Sequence, residues 1–183
     1  MLQLLVIALT CLGQGQAQSP LEAMQAGAKR YVEAVVRQDY KTLTNLYPPA
    51  VFERVDRARL IELITHDMDD MKKKGLKIKS FMTETSSKLV QGADGQLYGV
   101  IPATLVLDAP EAVITLKSFL IGLSSDQGKT WVYIDGANGA DAVRREYTEL
   151  PETLVLPAKQ RPGYQLKTSV LESPEPLNPT GKP

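Results

Sequence analysis

A chain of 183 residues accommodates one domain around one hydrophobic core, because domains usually hold about 100 to 200 residues. Lysine plus arginine balance aspartate plus glutamate at 21 each, and 43% of the residues are hydrophobic, which is typical of an ordinary globular protein. The neutral charge predicts no binding to nucleic acid or to anionic membrane surfaces.

Residues 1–17 are predicted to form a cleavable secretion signal. Leu2 to Leu12 is a nearly continuous apolar run of about 11 residues, too short for a membrane span of roughly 20. Small residues follow as far as Ala17, and cleavage near Ala17 predicts a periplasmic or secreted protein. The alternative is a buried N-terminal helix.

The single cysteine, Cys11, lies inside this segment, so the mature chain would have no disulfide and no thiolate chemistry. A lipid anchor at Cys11 is a second hypothesis for this residue. The preceding Ala8-Leu9-Thr10 lacks the small residue expected directly before a lipidated cysteine. The cleaved signal is therefore favoured over the anchor.

Two helices are predicted to follow the signal. Apolar residues recur at intervals of three and four over Leu21–Val35, which predicts a helix that Ser19 caps and that ends near Gln38. A short second helix begins at Asp39 and ends before Pro48-Pro49, since proline disfavours helical geometry in the residue that precedes it.

A third helix is predicted over about Asp56–Lys74, and Gly75 ends it. Lys72–Lys74 complement the dipole of its last turn, which favours a solvated helix end over a binding patch. His66 lies on the side of this helix away from the apolar stripe, so we expect its ring to face solvent. The stripe consists of Leu60, Ile61, Ile64, Met68 and Met71.

After Gly75 the periodicity changes from helix to strand. The turn residues Gly92-Ala93-Asp94-Gly95 predict a hairpin, and helices followed by antiparallel strands are typical of an α+β fold with N-terminal helices packed on a curved sheet of four to five strands. The predicted strands are Lys77–Ser86, Lys88–Gln91, Gln96–Leu107, Ala112–Ser124 and Thr130–Asp135.

The C-terminal part, 149–183, is predicted to be a proline-rich tail after a domain over 18–148. One or two helical turns over Asp141–Tyr147 come before it. Six of the twelve prolines lie in 157–183, which argues against any helix or strand there, and we expect disorder from about Ser173. Leu154-Val155-Leu156 is apolar enough to pack back on the domain.

The helix pattern and the last hairpin are similar to the nuclear transport factor two-like superfamily. The resemblance spans roughly Leu21–Gly136 and is carried by Tyr31–Val35, by Asp39-Tyr40 and by Ile121–Gly136, which looks like the last hairpin of uncharacterised exported bacterial members. It implies a cystatin-like cone, in which a bent sheet closed by helices surrounds a partly apolar cavity.

The same hairpin fits the Asp-box pattern of sialidase-like propellers. The box occurs once here and not once per blade, so a propeller is excluded. We expect a structural turn in which the carboxylate bonds backbone amides, glycine supplies an unusual dihedral angle and tryptophan packs over the hairpin. The residues are Ser124, Asp126, Gly128, Thr130 and Trp131.

The sequence predicts no catalytic residue, no metal site and no cofactor. His66 has no second histidine or thiolate to complete a metal site, and the glycine-rich segments match no nucleotide-binding motif. Carboxylates act alone in ketosteroid isomerase, a member of the same broad fold, but no residue here aligns with its roles. Asp39 is interpreted as a helix cap and Asp135 as a strand end.

Four residues are candidates for ligand binding if the cone holds a cavity. Alternation places Lys117 between Thr115 and Phe119 on one strand face, where a charge would need a partner or a ligand anion. The alternative is a lysine on an exposed sheet face. Hydroxyl groups that could bond a ligand are supplied by Tyr31, Tyr47 and Tyr98. Each of these could instead be a core residue with its hydroxyl reaching water.

Three functions stay open from the sequence. The favoured one is a noncatalytic binding or accessory module for a small apolar ligand or a protein partner. The second is an isomerase, dehydratase or cyclase that uses cavity carboxylates and tyrosines. The third is a homodimer through the sheet face. A cavity with two or more buried ionisable groups would favour the enzyme. An apolar cavity would favour the binding module. A cone filled with side chains, together with an apolar exposed sheet face, would favour the homodimer.

Overall fold

A computed structural model of the chain describes residues 18–86 and 88–167. The predicted signal with Cys11 and the predicted disorder from Ser173 lie outside the described residues. Every helix within them is too short or too polar to cross a lipid bilayer.

The N-terminal helices begin where the sequence predicts. Ser19 caps the first one, and its hydroxyl accepts a hydrogen bond from the Glu22 amide while the Glu22 carboxylate accepts one from the Ser19 amide at 2.9 Å. Asp39 and Asp56 cap the next two α-helices. The helices are α1 (Pro20–Arg37), α2 (Tyr40–Thr44), a 3-10 helix (Pro49–Glu53), α3 (Arg57–Lys73) and α4 (Ala140–Glu146).

The strands form one curled antiparallel sheet, which confirms the predicted α+β fold with helices on a curved sheet. A long hairpin of β3 and β4 is its centre, with β1 beside β3 and β5 beside β4. The strands are β1 (Lys77–Thr83), β2 (Val90–Gln91), β3 (Leu97–Asp108), β4 (Ala112–Ser124), β5 (Val132–Asp135) and β6 (Gly163–Leu166).

The sixth strand corrects the prediction that the proline-rich segment holds no strand. β6 pairs with the start of β4, from Ala112 opposite Leu166 to Thr115 opposite Gly163. Pro162 precedes the strand and does not interrupt it, so every residue of β6 keeps its amide donor. Prolines thus limit this strand without preventing it.

The front face of the sheet, which α1 covers, carries the first hydrophobic core. Met24 lies at its centre, directly over Gly99 and Gly122, and a Cβ atom on Gly122 would be only 2.8 Å from the Met24 Cγ. The Tyr133 hydroxyl donates a hydrogen bond of 2.6 Å to the Met24 carbonyl. The two glycines therefore let α1 approach the sheet closely. Other members of this core are Ala28, Tyr31, Val32, Leu43, Ile101, Leu120 and Trp131.

The back face carries a second core beneath the C-terminal segment. Phe119, Ile121 and Ile134 point to this side, and Val143 of α4 and Leu154 cover them. The predicted packing of the Leu154 segment on the domain is therefore present. The sheet is buried on both faces at this end, and its covering layer extends beyond residue 148.

Arg144 of α4 holds this covering segment in place. Its guanidinium donates hydrogen bonds to the carbonyl of Leu150 at 3.0 Å, of Pro151 at 2.9 Å and of Leu154. One planar cation thus satisfies three backbone acceptors that no regular element pairs.

We expect Arg144→Met to lower the free energy of unfolding by about 1–3 kcal/mol, because the Leu150 and Leu154 carbonyls would lose this donor, whereas the Pro151 carbonyl keeps the Leu154 amide. Urea unfolding would measure the loss, and limited proteolysis should cut between 149 and 160 first. Arg145→Met, one residue further on the same helix and exposed, is the control and should cost less than about 0.5 kcal/mol. Equal losses in both variants would contradict the role of Arg144.

Candidate functional site

A cavity of about 470 Å³ opens beside the end of the β3–β4 hairpin. This volume is in the usual range for small-molecule sites, about 300 to 1,000 Å³, whereas three other recesses in the described chain hold about 140, 100 and 20 Å³. We call it the Tyr98 pocket. It is lined by Pro48, Pro49, Ala50, Gln96, Tyr98, Leu123, Ser124, Ser125, Thr130, Val132 and Glu149.

The sheet supplies the floor of the Tyr98 pocket. Tyr98, Leu123 and Val132 belong to three adjacent strands, and the register places Leu123 opposite both Tyr98 and Val132. Because paired residues share a face, the three side chains lie side by side on the back of the sheet. The apolar floor is thus set by strand pairing.

The turn between β4 and β5 forms one wall and has the predicted Asp-box geometry. The Asp126 carboxylate accepts hydrogen bonds from the Thr130 amide at 2.9 Å, the Thr130 hydroxyl at 2.7 Å and the Ser124 hydroxyl at 2.8 Å. These bonds hold the pKa of Asp126 at about 2. Gly128 has a φ of 87°, as predicted, and Gln127 also has a positive φ of 62°.

The tryptophan of this turn points to the opposite face of the sheet. The Trp131 ring is buried in the front core, and its indole nitrogen donates to the Gly128 carbonyl at 3.0 Å. The turn is therefore tied to the front core through Trp131 while Thr130 lines the pocket. This matches the predicted structural role of the Asp-box residues.

The Tyr98 hydroxyl is fixed by an aspartate of the β2–β3 turn. The side chain is fully buried, and its hydroxyl donates to the Asp94 carboxylate at 2.9 Å. Desolvation, followed by this bond and the charge of Asp94, raises the pKa of Tyr98 to about 12. The amide of Gln96 lowers the pKa of Asp94 by donating to it at 3.0 Å. The turn therefore orients Tyr98.

The remaining walls come from distant parts of the sequence. The Tyr133 amide donates to the Leu46 carbonyl at 2.7 Å, which fixes the chain after α2 along β5 and brings Pro48 to the cavity. On the other side, Glu149 follows Tyr147, which is buried in the back core. Sequence reasoning interpreted Pro48-Pro49 only as a helix stop and gave Glu149 no role.

Of the four predicted ligand residues, only Tyr98 lines this pocket. Tyr31 is buried in the front core, and its hydroxyl donates to that of Tyr47 at 3.4 Å. Lys117 lies on the back face, where its ammonium donates to the Thr104 hydroxyl at 2.9 Å and pairs with Glu84 at 3.4 Å. This is the exposed alternative for Lys117, so the four residues form no common site.

Asp135 at the end of β5 is close to the front-core tyrosines. Desolvation raises the pKa of the Asp135 carboxyl group. The pKa of Tyr31 is also raised, mainly by burial and secondly by the charge of Asp135. The residue nevertheless has an exposed surface, and the Ala137 amide donates to its carboxylate at 2.8 Å. Because the residue is exposed, solvent screens this charge.

His66 is exposed on α3, as predicted, and lies 3.4 Å from Asp70. The lysines that follow also pair within the helix, Lys72 with Asp69 at 3.2 Å and Lys73 with Asp70 at 2.9 Å. They form the predicted solvated helix end. The residues that the structure describes include no group of three His, Cys, Asp or Glu side chains placed to hold a metal ion.

We expect Asp126→Asn to lower the melting temperature at neutral pH. The melting temperature of the variant should also decrease less than that of the wild type as the pH is lowered. The folded-state pKa of about 2 is below the ordinary 3.8, so Asp126 stabilises the fold above pH 3.8 and loses this contribution as pH falls toward 2. Thermal unfolding between pH 2 and 7 measures both effects. Asp67→Asn, an exposed change on α3, should keep the wild-type profile; an unchanged profile for Asp126→Asn would contradict the turn's role.

Comparison with family models, with curated proteins and with solved structures finds no match for this chain. The resemblance to the nuclear transport factor two-like superfamily therefore stays a prediction from the residues given above. The function proposed next is argued from the geometry of the Tyr98 pocket.

Proposed function

We propose that this chain is an exported binding or accessory protein that holds a small ligand in the Tyr98 pocket. The observation that carries the proposal is the cavity of about 470 Å³ with an apolar floor and a few oriented polar groups. Such a combination is typical of small-molecule sites, where apolar contact supplies affinity and fixed polar groups supply orientation.

The rigidity of the walls supports binding. The Asp126 turn and the Asp94 turn each fix one wall by several hydrogen bonds, and strand pairing fixes the floor. A site whose side chains are already ordered loses little conformational entropy when a ligand enters. The pocket is thus prepared for a ligand without further folding.

Ala50→Phe should abolish ligand binding, because the added ring would occupy the cavity. A screen of small-molecule fragments against the ¹⁵N-labelled chain measures this, and we expect shifts at the amides of Gln96, Ser125, Thr130 and Glu149. Ala137→Phe places the same ring beside the recess of about 20 Å³ and is the matched control. Fragments that shift no pocket amide, or that bind Ala50→Phe unchanged, would overturn the proposed function.

The enzyme alternative has one supporting observation, the neighbourhood of Asp135, Tyr31 and Tyr47. None of these three side chains lines any of the cavities given above, and the Tyr98 pocket contains a single charged side chain, Glu149, which is exposed. The criterion of two buried ionisable groups in one cavity is not met there. The binding function is therefore the better supported of the two.

Self-association has a specific observation in its favour. Tyr164 and Leu166 are 68% and 78% exposed on one side of β6, and among the described residues this strand pairs with β4 alone. The second backbone edge of β6 can accept the same strand from a second copy, with the two tyrosines meeting across the pair.

If the chain dimerises through β6, Tyr164→Glu should convert dimers into monomers, because a carboxylate would be buried in the new sheet. Sedimentation velocity over a concentration series measures the change. Gln165→Glu, which points to the other side of the same strand, is the control and should leave the dimer intact. A wild-type chain that sediments as a monomer throughout would rule out this second function.

A further inference from the structure

The 155–162 segment, which connects Leu154 to β6, is held at its two ends and not along its length. At one end Arg144 bonds the Leu154 carbonyl, and at the other end β6 pairs with β4. Residues 155–162 belong to no helix or strand, and no hydrogen bond joins their backbone to the rest of the described chain. Residues 158–162 are all exposed, and Val155 is 75% exposed. Local opening of this segment therefore costs little free energy.

The 155–162 segment contains a single peptide bond that a trypsin-like protease can cut. Such proteases cleave after lysine or arginine, and Lys159 and Arg161 are the two basic residues of the segment. The bond after Arg161 leads to Pro162, whose ring replaces the amide hydrogen and constrains the backbone, so this bond is resistant. The Lys159–Gln160 bond is the one that remains, in the kind of exposed loop where proteases nick folded chains.

Two other exposed lysines outside the helices and strands are held more firmly. Lys129 lies in the turn between β4 and β5, where the next amide, that of Thr130, donates to the Asp126 carboxylate at 2.9 Å. Lys88 is followed directly by Leu89, which packs against the front core. A protease must break these contacts before it can extend the chain in its active site. Lys159 requires no such step.

The strand that follows the segment has few contacts of its own. β6 forms four residue pairs with β4, and beyond it the Lys167 ammonium pairs with Asp108 at 2.8 Å. Tyr164 and Leu166 are 68% and 78% exposed, so they bury little apolar surface. The covalent link through 155–162 keeps the strand at a high effective concentration beside β4. Without that link, so short a strand would not stay paired at micromolar concentration.

We propose that the Lys159–Gln160 bond is a processing site for a protease of trypsin-like specificity and that the cut releases β6 from the sheet. Water adds across the bond: its oxygen joins the carbonyl carbon of Lys159, which becomes a carboxylate, and the nitrogen of Gln160 becomes a free amine. The backbone groups of 112–115 then form an open edge that can pair with another extended strand. Every residue that lines the Tyr98 pocket precedes the cut, so the pocket stays on the larger product.

Digestion of the purified chain with a low proportion of trypsin, followed over time by mass spectrometry, tests the site. A product that ends at Lys159 should form at least about tenfold faster than products that end at Lys88 or Lys129, because opening its segment breaks no backbone hydrogen bond. Gel filtration at micromolar concentration should then separate the fragment that begins at Gln160. Cleavage after Lys167 removes no residue of β6 and is distinguished by mass.

Variants of the same segment provide the controls. Lys159→Gln should abolish the cut within 155–162, whereas Arg161→Gln, two residues further on, should be cut like the wild type. Pro162→Ala should add a cut after Arg161. Unchanged cleavage of Lys159→Gln within the segment, or cleavage after Lys88 or Lys129 as fast as after Lys159, would overturn the processing site. A cut chain that keeps its fragment through gel filtration would overturn the release of β6.

Discussion

The register of the β3–β4 hairpin is the constraint on which the rest of this molecule depends. Twelve residue pairs, from Leu97 opposite Ser124 to Asp108 opposite Val113, fix which side chains reach each face. A slip by one residue would move every side chain of a strand to the opposite face. The Gly99–Gly122 pair would then no longer lie beneath Met24, and Tyr98 and Leu123 would leave the pocket floor.

Local signals predicted the elements well. β4 was placed correctly at Ala112–Ser124, because alternation runs between two turns that proline and glycine mark. Ser19 and Asp39 were correctly identified as helix caps, since a side-chain cap acts over one turn of chain, and the third helix was correctly placed from about Asp56. β6 was missed because the prolines were counted over the whole of 157–183. The stretch between Pro162 and Pro174 contains no proline and can therefore form a strand.

The pocket was beyond sequence reasoning for a different reason. Its walls meet only after Leu46 pairs with Tyr133 and after Arg144 fixes the segment that follows Glu149. Both contacts link residues far apart or backbone groups without a periodic pattern. The sequence did identify Tyr98 and the Asp126 turn, because an aromatic residue and a turn motif are recognisable locally. It could not assign Lys117 to a face, since alternation defines two faces without naming the buried one.

The close approach of α1 to the sheet also determines how readily different methionines are oxidised. The Met24 thioether has no exposed surface, and the two glycines beneath it leave no room for an added oxygen. Met82 on β1 is 57% exposed, so oxidants in solution reach its sulfur freely. In an oxidising environment Met82 would therefore form its sulfoxide long before Met24 in the core was oxidised. The sulfoxide of Met82 would show that the chain had met an oxidant while its fold was still intact.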